Sequence, residues 1–386
     1  MDSTGQAVVV GIRRSPVGRA HKGSLVDVRP DDLAAGIVTT LLDEYPQLPR
    51  TAIDDVICGC AFPWGEQGYN VGRNIGVLAG LPHSVPGQTI TRLCASSLQA
   101  LRAAAHAIAL GEARAVVAVG VESVSRVGRG HELAQLNPLL DPAAPGDTLG
   151  AVFLPMGLTA ENVARQYGVT RAEMDRYALR SQELAAKAQA GGSLGRHVVP
   201  IGPLAADESL RPQSTLDGLA ALRPVFQEDG TVTAGNSCPL NDGAAAALVM
   251  DERYARHLGF TPMARILGSA VSAVDPALMG VGPIDAIRRV LDRTGITMAD
   301  VDVLELNEAF AAQVIPVCRE VGIDPFDDRC NPLGGAIAIG HPFGMTGLRM
   351  MSSLLTGLAD RDATLGLETM CVGGGQGQAM LVERLA

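Results

Sequence analysis

The chain has 386 residues, 47% of them hydrophobic and 19% charged, and a formal net charge of -10. This length exceeds one ordinary hydrophobic core, so two or three domains are expected. The acidic balance argues against a nucleic-acid partner, because nucleic-acid phosphates favour an excess of Lys and Arg. No apolar run is long enough to span a membrane, and no signal segment precedes the first predicted strand. We therefore expect a cytoplasmic protein that binds neither nucleic acid nor membrane.

The N-terminal third alternates strands and helices. Pro30 and two aspartates predict the first turn of a helix that runs toward Glu44. A second helix follows Cys94 and ends near Gly111, because its apolar residues recur every three or four positions. Apolar runs predict strands over residues 7–12, 56–60 and 113–120, and residues 87–91 are a further strand, short and polar.

Residues 121–239 are richer in Gly, Pro and charge, and we interpret them as an inserted, mainly helical loop domain. Thr170 and Glu173 form a capping box for a helix over 171–190, and residues 160–166 are also helical in pattern. The first pattern then returns. Strands are predicted over residues 243–251, 301–306, 364–371 and 378–383, and helices over residues 284–294, 308–321 and 346–358.

This recurrence indicates an internal duplication within an α/β fold. The N-terminal half comprises residues 1–120 and 240–265, and the C-terminal half comprises residues 266–386.

The seven cysteines are an odd number in a chain with cytoplasmic features, so disulfides are not expected. Cys58 and Cys60 lack zinc-site spacing and a nearby histidine. We interpret them as small core residues at a strand end, with a redox pair as the alternative. No bound metal is expected.

Cys94 is the first candidate for chemistry, because it stands just before a helix. Free N–H groups and the helix dipole favour negative charge there, which predicts a lowered thiol pKa and a competent nucleophile. The alternative is a buried structural cysteine.

His341 lies between two glycine-rich turns, after an apolar, strand-like stretch, and can accept a thiol proton. Asn307 follows an apolar strand, where it can donate to an oxyanion or cap a helix. Cys371 ends a strand before three glycines whose N–H groups can approach a bound group. This glycine run does not fit a dinucleotide-binding loop, because a strand follows it where such a loop opens a helix. It does not fit a phosphate-binding P-loop either, because no Lys-Ser/Thr pair follows the glycines.

Taken together, these blocks resemble the thiolase family over nearly the whole chain. The resemblance is also carried by the segments Arg13–Pro16, Gly120–Ser123, Met156–Ala164, Thr233–Ser237 and Asn241–Ala245. It implies duplicated βαβαβ halves in a five-layered α-β-α-β-α core. Residues 29–33 and 155–157 are closer to degradative 3-ketoacyl-CoA thiolases than to biosynthetic acetoacetyl-CoA enzymes.

The resemblance also implies a mechanism. Cys94 is acylated by a 3-ketoacyl-CoA, His341 accepts its proton, and Cys371 protonates the leaving acetyl-CoA carbanion. One oxyanion site uses His341 with a water held by Asn307, and the other uses the N–H groups of Cys94 and Gly373. Coenzyme A is a cosubstrate rather than a bound cofactor. Its implied contacts are Met156, Arg211, Leu222, Phe226, Ala234 and Ser237.

Three positions depart from the family pattern: Thr91 replaces the usual Asn, Ser97 the usual Gly, and Cys238 a common Ser or Ala. They fit a thiolase with a specialised, branched or ring-derived acyl substrate. The alternatives are a biosynthetic acetoacetyl-CoA thiolase, a decarboxylating β-ketoacyl synthase and a non-catalytic acyl-CoA binding subunit. Family members form dimers or tetramers, and the strand edge at Gly120–Ser123 is compatible with such contacts.

Overall fold

The computed structural model describes residues 5–127, 137–140 and 150–386. Within these residues one mixed sheet runs through the molecule. Its strands are β1 Ala7–Arg14, β2 Gly18–Arg19, β3 Asp55–Cys60, β4 Gly87–Ile90, β5 Ala115–Ser123, β6 Asn241–Asp251, β7 Ala264–Ala273, β8 Val303–Leu306, β9 Leu365–Val372 and β10 Gln376–Arg384.

The helices surround this sheet and also divide it. They are α1 Pro30–Asp43, α2 Val71–Leu78, α3 Ser96–Ala109, α4 Val124–Val127, α5 Met156–Tyr167, α6 Arg171–Ala190, α7 Leu216–Ala220, α8 Glu252–His257, α9 Pro283–Thr294, α10 Ala311–Glu320, α11 Ala336–Ile339 and α12 Thr346–Asp360. None of the helices in the described ranges combines the length and apolar character needed to cross a bilayer.

Strand pairing repeats along the sheet, whose order is β4-β3-β5-β6-β1-β7-β10-β9-β8. In the first half β3 runs parallel to β4 and β5, and β6 runs antiparallel to β5 and β1. In the second half β8 runs parallel to β9, and β10 runs antiparallel to β9 and β7. A parallel bridge between Leu304 and Cys330 occupies the place of β4. The two halves thus share one topology, as an internal duplication requires.

The two half-sheets meet through β1 and β7, which pair only at Val8–Arg265 and Val9–Ala264 among the described residues. Helices α3 and α12 pack against each other between the half-sheets. Helices α1 and α2 cover one outer face, and α9 and α10 the other. Five layers and three apolar clusters result, which confirms the predicted fold class.

The predicted helix over 171–190 is confirmed with its capping box at Thr170 and Glu173. Cys58 and Cys60 are buried at the end of β3, as predicted. The apolar stretch before His341 is helical, not strand-like: it is α11, whose Ile337 N–H donates to the Glu308 carboxylate at 3.1 Å. Four apolar residues carry too little periodicity to separate the two states.

The predicted boundary at residue 120 lies inside β5, which continues to Ser123. The predicted strand edge at Gly120–Ser123 is wrong. Strand β5 is fully buried between β3 and β6, and the edge strand of this half is β4.

Candidate active site

Cys94 lies in a tight 3-10 turn, Leu93–Ala95, that leads into α3. Leu93 has a φ of 44°, so the chain turns sharply between β4 and the helix. The Ser96 hydroxyl holds this turn: it accepts from the Arg92 N–H at 3.0 Å and donates to the Leu93 carbonyl at 2.6 Å. The thiol therefore stands half-buried at the start of a buried helix, as predicted.

The expectation of a lowered Cys94 pKa is wrong. Burial raises the pKa of this thiol to about 11, and the N–H groups of Gly373 and Cys94 offset only part of the effect. The buried carboxylate of Glu122 raises it further. The resting thiol is therefore protonated at neutral pH and needs a base before it can attack.

His341 is buried immediately before the turn that opens α12. Its Nδ1 lies 2.7 Å from the Thr346 hydroxyl, which donates its own proton to the Pro342 carbonyl at 2.7 Å. Thr346 must then accept from Nδ1–H, which assigns Nε2 as the unprotonated, basic nitrogen. Burial, with the charge of Arg349, lowers the pKa of His341 to about 3. The imidazole is thus a neutral proton acceptor.

Asn307 follows β8 and faces the histidine. Its Nδ2 lies 3.3 Å from Nε2 of His341 and donates to that nitrogen in the assigned tautomer. Its N–H donates to the Thr369 carbonyl at 3.0 Å, which fixes the residue to β9. Its Oδ1 is buried and unpaired within the described residues, so this oxygen can accept from a water.

Cys371 is buried near the end of β9, and Gly373 follows that strand. The Leu93–Ala95 turn packs against β9 and against the Phe343–Met345 turn beside His341. A Cβ at Gly373 would lie 2.7 Å from the Leu93 side chain, so glycine permits this approach. Burial, and then the nearby Cys94, raise the pKa of Cys371 well above its ordinary value. The structure thus brings the two thiols and the glycine turn together.

Glu122 is a buried residue to which the sequence assigned no role. Its carboxylate accepts from the N–H groups of Ala61 and Gly344, each at 2.9 Å, and from the Gln67 amide. It therefore ties the end of β3 to the turn that carries His341. A glutamate inside an otherwise apolar strand was the available signal, because such a charge needs buried partners.

The departures from the family pattern have defined contacts. The Thr91 hydroxyl donates to the Ala61 carbonyl at 3.1 Å and accepts from the Leu93 N–H at 3.4 Å. The Ser97 hydroxyl accepts from the Leu348 N–H of α12 at 3.1 Å. The half-buried Cys238 donates its N–H to the Ala309 carbonyl at 3.0 Å. After burial, the nearby Cys94 raises the pKa of both Cys238 and Cys371, and Cys238 also raises the pKa of Cys371.

The expected coenzyme A contacts differ in their exposure. Arg211, Leu222, Phe226 and Ala234 are exposed, Met156 is half-buried and Ser237 is buried. The Ser237 hydroxyl donates to the Thr233 carbonyl at 2.7 Å.

Two members of this set, Phe226 and Met156, lie close to Gly157 and Gly373. A Cβ at Gly157 would lie 2.2 Å from the Phe226 ring, and the Met156 sulfur lies 3.9 Å from the corresponding position at Gly373. Within the described residues, no group of three or more His, Cys, Asp and Glu side chains is arranged to hold a metal ion.

Comparisons with known proteins agree with this fold. The family model described as "Thiolase, N-terminal domain" matches residues 7–253, and "Thiolase, C-terminal domain" matches residues 260–384. A 3-ketoacyl-CoA thiolase of Bacillus subtilis is 44% identical, covering 98% of this chain and 99% of the relative. A beta-ketoadipyl-CoA thiolase of Pseudomonas knackmussii is also 44% identical, covering 96% of this chain and 97% of that protein.

Solved structures give the same picture. The Bacillus anthracis acetyl-CoA acetyltransferase matches with a TM-score of 0.90 and 36% identity, covering 100% of both chains. Human mitochondrial 3-ketoacyl-CoA thiolase matches with a TM-score of 0.90 and 34% identity, covering 99% of this chain and 100% of that one.

The duplicated α/β fold, with its paired thiols beside an imidazole, defines an acyltransferase. Since both domain models match and the relatives align over nearly their full length, the chain belongs to the thiolase family.

Proposed function

We propose that this thiolase cleaves a 3-ketoacyl-CoA with coenzyme A, giving acetyl-CoA and a shortened acyl-CoA, through an acyl group on Cys94. One observation carries the proposal: the Cys94 turn packs against both the end of β9, where Cys371 lies, and the turn beside His341. Thiolysis needs a nucleophile, a base and a second proton donor around one thioester, and these elements supply all three.

In the first half-reaction Cys94 passes its proton to Nε2 of His341 as its sulfur bonds to the 3-keto carbon. The bond between the second and third carbons then breaks, and its electron pair stays with acetyl-CoA as an enolate. Cys371 protonates this carbanion, which completes acetyl-CoA. A raised Cys371 pKa suits this step, because the donor stays protonated until the carbanion forms.

In the second half-reaction the Cys371 thiolate takes the thiol proton of coenzyme A, whose sulfur attacks the acyl-Cys94 carbonyl. Cys94 leaves and recovers its proton from His341, which restores the resting enzyme. Each step is reversible because the acyl-cysteine and the acyl-CoA are both thioesters of similar energy.

Two oxyanion sites stabilise these intermediates. Once protonated at Nε2, His341 becomes a donor beside Asn307, whose Oδ1, unpaired in the described part of the chain, can hold a water. The N–H groups of Gly373 and Cys94, which already act on the Cys94 sulfur, supply the second site.

Coenzyme A is proposed to lie along the apolar surface of the exposed Leu222 and Phe226 and the half-buried Met156, with Ala234 and Ser237 beside it. That surface leads toward Gly373, so the pantetheine chain can bring its thioester to Cys94. Arg211 is proposed for a phosphate, because it is an exposed cation on the segment before α7.

We propose a degradative enzyme with a specialised acyl group rather than a biosynthetic acetoacetyl-CoA thiolase. Thr91, Ser97 and Cys238 support this, and relatives named 3-ketoacyl-CoA and beta-ketoadipyl-CoA thiolases are consistent with it.

We further propose a cytoplasmic homo-oligomer, a dimer or tetramer, which the free thiol state of all seven cysteines fits. We also propose that the chain has three domains. The N-terminal half comprises residues 1–120 and 240–265, the inserted loop domain comprises residues 121–239, and the C-terminal half comprises residues 266–386.

The decisive experiment is thiolysis of 3-ketoacyl-CoAs of increasing size, with acyl-enzyme detected by mass spectrometry. Cys94→Ser should abolish both turnover and the acyl adduct. Cys371→Ser should lower turnover at least about a hundredfold yet keep the adduct from acetyl-CoA, because acylation needs no carbanion. Cys318→Ala, a buried thiol outside the site, is the matched control and should keep turnover.

Failure to cleave any chain length would support a binding subunit and overturn the proposal. Acetoacetyl-CoA turnover equal to or better than that of bulky substrates would contradict the specialised acyl group alone.

A further inference from the structure

A buried glutamate beyond the end of β8 has no role in the steps above. Glu308 is fully buried, and its carboxylate contacts donors from α6, from α11 and from the segment between β8 and α11. Oε1 accepts from the Tyr177 hydroxyl at 3.0 Å and from the Asn331 amide at 2.9 Å. Oε2 accepts from the Ser181 hydroxyl at 2.6 Å and from the Ile337 N–H at 3.1 Å. Such a set occupies the acceptor positions of a carboxylate.

The hydrogen-bond pattern is satisfied only when this carboxylate is ionised. The Ile337 N–H and the Asn331 amide can only donate to it. Within the described residues, the hydroxyls of Tyr177 and Ser181 have no acceptor other than Glu308, so they must donate as well. Burial, and then the charge of Glu308, raise the pKa of Tyr177 well above its ordinary value, which keeps its proton available for this bond.

The turn before α11 lies directly on the carboxylate. A Cβ at Gly335 would lie 2.3 Å from the carboxyl carbon of Glu308. Gly334 has a φ of 76°, and a Cβ there would lie 2.6 Å from the Ser181 carbonyl oxygen. Glycine permits both approaches, so α11 starts in contact with Glu308 and with α6.

These contacts reach both partners of the proposed oxyanion site. Glu308 follows Asn307 directly, and only Gly340 separates α11 from His341. The Asn307 Nδ2 lies 3.3 Å from the His341 Nε2. The His341 N–H donates to the Asn241 side chain at 2.9 Å, which holds the far side of the same loop. One carboxylate therefore ties the segment that carries the amide to the helix that leads to the imidazole.

We propose that Glu308 is a positioning residue that sets the distance between the Asn307 amide and the His341 imidazole. Its ionised carboxylate holds α11 against the end of β8, so that Nε2 and the water proposed for Asn307 face the same substrate oxygen. The inference rests on the proposed roles of Asn307 and His341. It predicts that Glu308 affects the chemical steps and not coenzyme A binding, because its four hydrogen-bond partners are outside the proposed coenzyme A contacts.

The test is a double-mutant cycle in the full chain, with thiolysis of the best-cleaved 3-ketoacyl-CoA as the readout. Glu308→Gln keeps the shape of the side chain but turns an NH2 group toward donors, so α11 should move. We expect kcat to fall at least about tenfold, with an unchanged KM for coenzyme A. The double variant with Asn307→Ala should lose little more than Asn307→Ala alone, because both changes break one contact. A merely structural role would give losses that multiply.

The matched control is Asp302→Asn, at the opposite end of β8. Its carboxylate also accepts backbone donors, the N–H groups of Thr364 at 3.0 Å and Leu365 at 2.8 Å. The same change of carboxylate to amide there should leave kcat unaltered. A fall in kcat equal to that of Glu308→Gln would show a general effect of disturbing this strand and would overturn the inference.

Ser181→Ala is a milder second variant, which decides the matter if Glu308→Gln does not fold. It removes one bond to the carboxylate and one to the Gly335 N–H, at 3.2 Å. It should lower kcat less than Glu308→Gln, and this loss should also disappear in the Asn307→Ala background. A loss of the same size with and without Asn307 would contradict the proposed positioning role.

A further measurement needs no turnover. In chain labelled with 15N-histidine, the Nε2 resonance of His341 is assigned among the seven histidines by its loss in His341→Asn. In Glu308→Gln and in Ser181→Ala it should shift in the same direction as in Asn307→Ala, because each change weakens the bond from the Asn307 amide. An unmoved resonance would overturn the inference. Absence of thiolysis in the wild-type chain, with these shifts present, would instead count against the proposed function.

Discussion

As the proposed nucleophile, Cys94 has to acquire its reactivity from neighbouring groups rather than from its resting charge. It starts a helix, yet burial outweighs the favourable backbone N–H groups and raises the thiol pKa to about 11. His341 is likewise neutral. Attack must therefore couple proton loss from sulfur to proton gain at Nε2, and substrate binding has to favour that transfer.

The Cys94 pKa makes a prediction about pH. A thiol with a pKa near 11 is almost fully protonated at pH 7, so alkylation of Cys94 by iodoacetamide should quicken about tenfold per pH unit from pH 7 to 10. The rate should level off only near pH 11. Peptide mass spectrometry after a timed quench measures it for this cysteine alone. A plateau at pH 8 or below would mean a resting thiolate and would contradict the burial argument.

For single residues, the sequence predicted where the candidate site residues lie better than it predicted their pKa values. Cys94, His341, Asn307 and Cys371 stand where strand ends and glycine turns placed them. The direction of the Cys94 pKa shift was missed because a sequence pattern shows where the helix starts but not how deeply the turn before it is buried. Thr346 was missed because a threonine at the start of a helix ordinarily indicates a cap.

Two central helices carry the halves of the site, and their contact depends on close packing. A Cβ at Gly347 would lie 2.4 Å from the Leu98 nitrogen, so α12 approaches the backbone of α3. The Ser97 hydroxyl lies in this contact and accepts the Leu348 N–H, one of the donors that α12 leaves free in its first turn. Ser97 therefore joins the helix of the proposed nucleophile to the helix that follows the proposed base.

Ser97→Ala should leave that buried N–H unpaired and cost about 1–3 kcal/mol of unfolding free energy. Urea unfolding followed by circular dichroism measures the change. Ser352→Ala is the matched control, because the Ser352 hydroxyl donates within α12 to the Arg349 carbonyl at 2.6 Å. Its loss should cost less than about 1 kcal/mol. Equal costs for the two variants would show that the contact between the helices adds nothing.

Element by element, long periodic helices were predictable and short ones were not. The capping box at Thr170 placed α6 correctly. Helix α2 was absent from the prediction because it contains Gly72, where a Cβ would lie 2.1 Å from the Gln88 carbonyl. Close packing on β4 requires this glycine, yet in sequence it disfavours a helix. Strand β7 was also absent, since its half-buried, glycine-containing pattern does not alternate cleanly.

In the whole molecule, duplication explains why the site lies at the centre. Each half places a central helix just before its last parallel strand, α3 before β5 and α12 before β9, and the two helices meet where the half-sheets face each other. The proposed nucleophile comes from one half, and the proposed base and second thiol from the other. The alternation of strands and helices in the sequence indicated an α/β layered fold. The number of layers was predicted only from the resemblance to the thiolase family, because too few residues are identical between the two halves to establish the duplication from the sequence itself.

The edge strand β4 leads to a prediction about assembly. Beside it stands Tyr69, 98% exposed with a φ of 49°. Asn70 fastens this segment to the strand by donating to the Gly87 carbonyl at 2.8 Å. A strained, fully exposed aromatic next to an open sheet edge is typical of an interface, and a two-fold axis would pair β4 with its copy. We expect a dimer formed across this edge, alone or within a tetramer.

Tyr69→Arg should weaken this dimer by placing two like charges near the axis, so its mass in sedimentation equilibrium should fall toward that of a monomer at micromolar concentration. Leu110→Arg is the matched control, since Leu110 is 75% exposed at the end of α3, away from β4, and should not change the mass. A monomeric wild-type chain, or an unchanged mass for Tyr69→Arg, would rule out the β4 edge. If the mass halves while thiolysis persists, each copy contains a complete site, as the arrangement of Cys94, His341 and Cys371 within one chain requires.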